Sequence, residues 1–132
     1  VNFIRNCQAL LNEKGCVVIC TFGPQNLREV GTLTGISLRY PTLDNLRLSL
    51  SDSFDLIYSH EELQKLTFKT PVEVLRHLKA TGVTGISKQR WTKAKLSHFS
   101  NQYEKLYQSE EGRITLTYHP VYIILKKKDD GK

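Results

Sequence analysis

The residues able to do chemistry in this 132-residue chain are few and unevenly placed. Its three cysteines, Cys7, Cys16 and Cys20, lie within the first twenty positions. A secreted disulfide scaffold would use more of them, in pairs and spread along the chain. Cys16 and Cys20 bracket Val-Val-Ile and fall on one face of a strand, where they read as small hydrophobes. No fourth ligand stands at a zinc spacing, and His60 is too isolated to supply one, so no metal site is expected. No nucleophile–base triad is evident among the cysteines and the four histidines. The cations are the informative group. Between Lys65 and Lys95 stand Lys65, Lys69, Arg76, Lys79, Lys88, Arg90, Lys93 and Lys95 against Glu73 alone, a net +7, which leaves −1 for the rest of a +6 chain. Such a segment attracts an anionic partner: a nucleic acid, an acidic protein or a small anion.

The elements that must hold these residues follow from hydrophobic spacing. Phe3, Ile4, Cys7, Leu10 and Leu11 form a helical stripe, and Gly15 is placed to close it in a left-handed conformation. Cys16 to Phe22 is continuously apolar between two glycines, the pattern of a parallel strand buried on both faces. A short helix from Pro24 to about Val30 is expected, then an irregular loop to Tyr40. Leu43, Leu46 and Leu50 line a second short helix. Phe54–Tyr58 and Leu63–Phe68 read as a strand and its continuation or partner. Thr70-Pro71-Val72-Glu73 carries an N-cap, a proline for the first turn and a capping-box glutamate, opening a helix that stops at Gly82. Leu96, Phe99, Tyr103 and Leu106 line a further helix over 93–107. Ile114 to Lys126 is a last strand that Pro120 bends or bulges.

Length and composition bound the class. A 15.2 kDa chain with 39% hydrophobic residues has the size and apolar share of an ordinary globular domain, which argues against disorder. No run approaches the roughly 18 apolar residues of a membrane helix, and no signal peptide is recognisable. A cytoplasmic location is expected, with no membrane partner. Three strands are too few for a doubly wound sheet, and the first strand would lie along an apolar open edge. With a start at Val1 and no Met anywhere, this reads as a fragment or processed piece whose front half is absent.

Particular residues narrow the reading. Leu10-Leu11-Asn12-Glu13-Lys14-Gly15, running into Cys16-Val-Val-Ile-Cys-Thr-Phe-Gly23, resembles the approach to the fifth strand of class I S-adenosylmethionine-dependent methyltransferases. Gly23-Pro24-Gln25-Asn26-Leu27-Arg28-Glu29 looks like the start of the substrate lid in the biotin-synthesis branch of that fold. The blocks Val74-Leu75-Arg76-His77-Leu78-Lys79-Ala80-Thr81-Gly82-Val83-Thr84 and Leu116-Thr117-Tyr118-His119 resemble signatures of the malonyl-[acyl-carrier protein] O-methyltransferases. The likeness covers roughly residues 3 to 127.

The resemblance implies an α/β fold: the carboxyl-terminal part of a Rossmann-like methyltransferase sheet, with a buried parallel strand, a further strand, a final antiparallel strand and flanking helices. Residues 1–132 would be that portion of a single domain, the cofactor-binding part being absent. It also implies methyl transfer from S-adenosylmethionine to the free carboxylate of a malonyl thioester, carried on acyl carrier protein or coenzyme A. No cofactor-binding or acid–base residue is then expected in this chain. Arg76 is expected to bind the malonyl carboxylate, with Tyr118, His119 and Phe22 lining the pocket. Lys88, Arg90, Lys93 and Lys95 are expected to dock the acidic carrier protein. The competing readings are a methyltransferase for another small acceptor and a non-catalytic basic binding module. Against nucleic acid, Phe99, Tyr103 and Phe3 sit on apolar faces rather than forming a stacking platform.

Overall fold

A computed structural model describes residues 2–36, 39–83 and 90–128. The chain divides into two compact units built from interleaved segments: Val1–Pro24, Tyr40–Leu63 and His119–Lys132 form the first, Gln25–Arg39 and Gln64–Tyr118 the second.

The first unit is a three-stranded sheet in the order β1 (Cys16–Phe22), β5 (Pro120–Lys127), β2 (Phe54–Glu61). β5 runs antiparallel to both neighbours, so β1 and β2 point the same way and end at the same edge of the sheet. There Phe22 pairs with Pro120, and Glu61 with Val121. Helix α1 (Asn2–Asn6), the 3-10 turn Cys7–Leu10 and helix α3 (Leu43–Leu50) belong to this unit. Thr42 caps α3 by accepting from the Asn45 N–H at 3.1 Å, and Leu46 and Leu50 are buried. Leu50, Phe54, Val121, Ile123 and Leu125 form the core, with Ile4, Leu11, Val17, Ile19, Leu43 and Leu56 packed against it. The Arg5 guanidinium binds the Ser49 carbonyl, and Gln8 Nε2 donates to the Ser53 carbonyl at 3.0 Å. Alternation along β1 leaves Cys16, Val18 and Cys20 on the other face, where Val18 is 69% exposed.

The parallel strand buried on both faces that was expected over Cys16–Phe22 is therefore corrected: β1 pairs with β5 antiparallel, and among the described residues only its Val17–Ile19 face is packed. The final antiparallel strand is present as expected. Two local expectations also change. Phe3 and Leu10 are 79% and 85% exposed, so the amino-terminal stripe is only half covered, and Phe3 is not on a packed face. Gly15 does not take a left-handed conformation. It is needed because a β carbon there would stand 2.9 Å from Leu11 Cβ.

The second unit joins a two-stranded antiparallel ladder, β3 (Gln64–Phe68) with β4 (Ile114–Tyr118), to helices α2 (Arg28–Thr34), α4 (Pro71–Ala80) and α5 (Lys93–Tyr107). The single strand expected over Ile114–Lys126 is thus two strands in two sheets, divided at His119. Leu63–Phe68 is neither continuation nor partner of β2. Helix α4 follows its signals closely. Thr70 accepts from the Glu73 N–H, Pro71 opens the first turn, and Gly82 follows with φ 84°. The Glu73 carboxylate accepts from the Lys69 N–H at 2.9 Å, one residue before the expected capping-box partner.

Helix α2 begins at Arg28, four residues later than expected, and takes up part of the anticipated loop. Leu27 precedes it at φ 52°, held by its N–H donating to the Thr117 carbonyl at 2.7 Å. The core is Val30, Val74, Leu78, Phe99, Tyr103, Ile114 and Leu116. On α5 the packed stripe follows Phe99, Tyr103 and Tyr107, each ring edge-on to the next at 5.5 and 5.7 Å. Trp91 extends the row at 5.1 Å from Phe99, and Leu106 faces outward. No helix among the described residues is long and apolar enough to cross a membrane.

Candidate functional site

The expected site residues divide between the two units. Phe22 and His119 belong to the first, Arg76 and Tyr118 to the second.

In the first unit the carboxyl ends of β1 and β2 define one edge, and open α/β sheets bind ligands at the carboxyl ends of their strands. The Phe22 ring sits there, edge-on to Tyr40 at 5.9 Å. Beside it the Gly23 N–H donates to the His119 carbonyl at 2.7 Å. The His119 imidazole lies directly on Gly23, and its Nε2 stands 3.3 Å from Glu61 Oε1. At 6% exposure His119 is one of the few buried polar residues. Glu61, at the end of β2, is half-exposed and was not foreseen.

In the second unit Arg76 is exposed in the middle of α4, and it makes no ion pair among the described residues. Its neighbour His77 turns toward the ladder, where Nε2 lies 2.9 Å from Tyr118 Oη and the ring packs on Phe68 at 5.2 Å. Tyr118 closes β4. Burial pushes its phenol above the usual value, and a hydrogen bond with the Thr81 side chain pulls the other way. His77 stood inside a quoted motif block, but helical spacing gave it no partner.

Glu29 is the buried acid that the sequence did not single out. It is 1% exposed, and its two oxygens accept from the Thr117 N–H at 2.9 Å and the Thr117 hydroxyl at 2.7 Å. Tyr103 lies near it, donating to the Thr115 carbonyl at 2.5 Å. Burial raises the Tyr103 phenol far above its ordinary value, and the Glu29 charge adds to the rise. An acid in the first turn of a short helix ordinarily signals a helix start. Nothing local in the sequence marks this one as buried.

Of the expected docking cations, Arg90, Lys93 and Lys95 are exposed around the start of α5, and Lys88 lies outside the described residues. Thr92 caps the helix, and its first turn holds no acid. Two lysines there oppose the helix dipole at a cost of about 0.3–1 kcal/mol each.

Two positions that could meet S-adenosylmethionine are already occupied within the chain. A glycine turn after a strand could let a ribose or methionine approach the backbone, but the space over Gly23 is filled by the His119 ring. An acid could grip the ribose hydroxyls, but both oxygens of buried Glu29 are engaged by Thr117.

The architecture gives the fold. The chain shares the fold of a Bacillus halodurans C-125 protein described as a methyltransferase, with TM-score 0.54, covering 94% of this chain and 56% of that one at 12% identity. No protein-family model matches. The particular likeness is in the sequence. The chain is 45% identical over 126 residues to the malonyl-[acyl-carrier protein] O-methyltransferase of Bacteroides fragilis, spanning 96% of this chain and 26% of that protein. It is 42% identical to the protein of that name from Bacteroides thetaiotaomicron and 38% to that from Haemophilus influenzae. It spans 52% and 48% of those two relatives. The resemblance expected from the two motif blocks therefore extends over nearly the whole chain, which covers about half or less of each of these proteins.

Proposed function

We propose that the chain is the carboxyl-terminal, acceptor-binding part of an S-adenosylmethionine-dependent O-methyltransferase. Its acceptor is the free carboxylate of a malonyl thioester on acyl carrier protein or coenzyme A, in the cytoplasm, on the way to biotin. The observation that carries this reading is the 45% identity over 96% of the chain to a protein bearing that name.

The geometry is compatible with the chemistry. A malonyl carboxylate is ionised near neutral pH and needs no general base. What it needs is to be held in line with the methyl donor, which is catalysis by proximity and orientation. Arg76 supplies the cation for that purpose: it is exposed, and its planar guanidinium matches a carboxylate as a bidentate fork. In the second unit Tyr118, its ring set by His77, offers an apolar surface; in the first, Phe22 offers another at the carboxyl end of β1. Arg90, Lys93 and Lys95, with Lys88, steer an acidic carrier protein. S-adenosylmethionine supplies the methyl group and is held by residues outside this chain. The 132 residues alone are expected to bind S-adenosylhomocysteine poorly in a calorimetric titration; micromolar affinity would contradict this.

The test is to join the chain to the portion of the Bacteroides thetaiotaomicron relative that it does not match. That protein is assayed against malonyl thioesters and a panel of other small carboxylic acids. Preferential methylation of the malonyl thioester is expected. A folded, cofactor-binding protein that ignores it would defeat the proposal. Turnover on the carrier-protein substrate should also fall more steeply with salt than turnover on the coenzyme A thioester.

A further inference from the structure

The carboxyl ends of β1 and β2 meet the start of β5 at His119. The Gly23 N–H donates to the His119 carbonyl at 2.7 Å, and one residue further on the Glu62 N–H donates to the Pro120 carbonyl at 3.3 Å. Phe22 is the register partner of Pro120. The imidazole fills the space over Gly23 so completely that a β carbon there would stand 2.3, 2.4 and 2.7 Å from Cε1, Nδ1 and Nε2. Its Nε2 faces Glu61 Oε1 at 3.3 Å. A carboxylate only accepts hydrogen bonds, so this contact places a proton on Nε2. With the ring 6% exposed, little of it remains for a ligand to touch.

We propose that His119 is a positioning residue. It fixes the carboxyl end of β1, and with it the Phe22 ring, by acting through Gly23 and Glu61 rather than on the acceptor. The glycine at 23 and the histidine at 119 are one device: the ring occupies the volume that any other residue at 23 would need. What is positioned rests on the methyltransferase reading above; the coupling between the two residues does not. Misplacement by about 1 Å at a group that orients a substrate is enough to cost about a hundredfold in rate, so the effect belongs in turnover rather than binding.

Two measurements test this separately. In the 132-residue chain, Gly23→Ala is expected to lower Tm by about 4–10 °C. In a His119→Ala background the same substitution is expected to lower it by less than about 2 °C, because the clash is gone. An equal cost in both backgrounds overturns the proposal. Should Gly23→Ala fail to fold, hydrogen exchange at the Gly23 amide replaces it: about tenfold faster exchange in His119→Ala is expected, and unchanged exchange overturns the coupling. In the joined enzyme, His119→Ala is expected to lower kcat about tenfold or more while KM for the malonyl thioester stays within about twofold. His119→Gln, which keeps a donor toward Glu61, should recover part of the loss. A tenfold rise in KM with kcat intact would place His119 on the acceptor and overturn the proposal. If the joined wild-type enzyme leaves malonyl thioester untouched, the methyltransferase reading fails, and the thermal cycle alone decides the coupling.

Discussion

Both units of this chain bury a core to within a few per cent, but they differ in what surrounds it. In the second, Val74, Leu78, Tyr103, Ile114 and Leu116 are wholly inaccessible, closed in by α2, α4, α5 and the β3–β4 ladder. In the first, the sheet is packed on one face by α1 and α3 and carries an uncovered row on the other. Val18, Tyr58 and Ile124 stand side by side there, with Val18 and Tyr58 well exposed. An antiparallel sheet with one face in water ordinarily turns polar residues outward. This one does so at Asp55, Lys126 and His60 but sets a row of valine, isoleucine and tyrosine between them. Among the described residues, what sets the first unit apart is this one apolar row left exposed beside a packed face.

The largest effect that would break this contrast lies in the closed core. Leu78→Ala should cost about 2–5 kcal/mol in chemical denaturation, because the cavity forms where neighbours are packed on all sides. A loss below about 1 kcal/mol would mean that the second unit is not closed. Next is Glu29→Ala, which leaves the Thr117 N–H and hydroxyl without their acceptor and should cost about 1–3 kcal/mol.

The alkaline limb sharpens the comparison further. Burial raises the phenols of Tyr103 and Tyr118, both in the second unit. A raised folded value means that the stabilisation is fully present below the ordinary phenol value of about 10 and is lost as pH rises beyond it. Stability should therefore decline above about pH 10, and Tyr103→Phe should flatten that decline while removing the hydrogen bond to the Thr115 carbonyl. The smallest effect belongs to the bare face. Val18→Thr should change stability by no more than about 0.5 kcal/mol in this chain. A larger loss would show that the face is covered after all.

Local signals were legible in α4, though not at Gly15 or Pro24, and non-local ones were not. Helix α4 could be read almost to the residue because its cap, its proline and its closing glycine all lie within thirteen positions of one another in the sequence. The division of 114–127 into two strands was marked only by Pro120, which signals a bend but not a change of sheet. One alternating run serves both sheets, and only the pairing of β4 with β3 and of β5 with β1 and β2 separates them. Glu29 and Thr117 are 88 positions apart, so nothing local announces that the acid is buried. Arg76 was identified from a motif, and its exposed place on α4 leaves it available. His119 came from a motif too, yet the structure turns its ring onto Gly23, a contact that no spacing rule encodes.

The most direct test of the central claim is the response of the joined enzyme to Arg76→Ala and Arg76→Lys. If this chain supplies the acceptor site, Arg76→Ala should raise KM for malonyl thioester or lower kcat/KM by at least about a hundredfold, since a paired charge contributes on the order of 3 kcal/mol. Arg76→Lys should recover only part, because an ammonium cannot reproduce the fork. Unchanged kcat/KM in Arg76→Ala, with the protein folded and binding S-adenosylhomocysteine normally, would contradict the account.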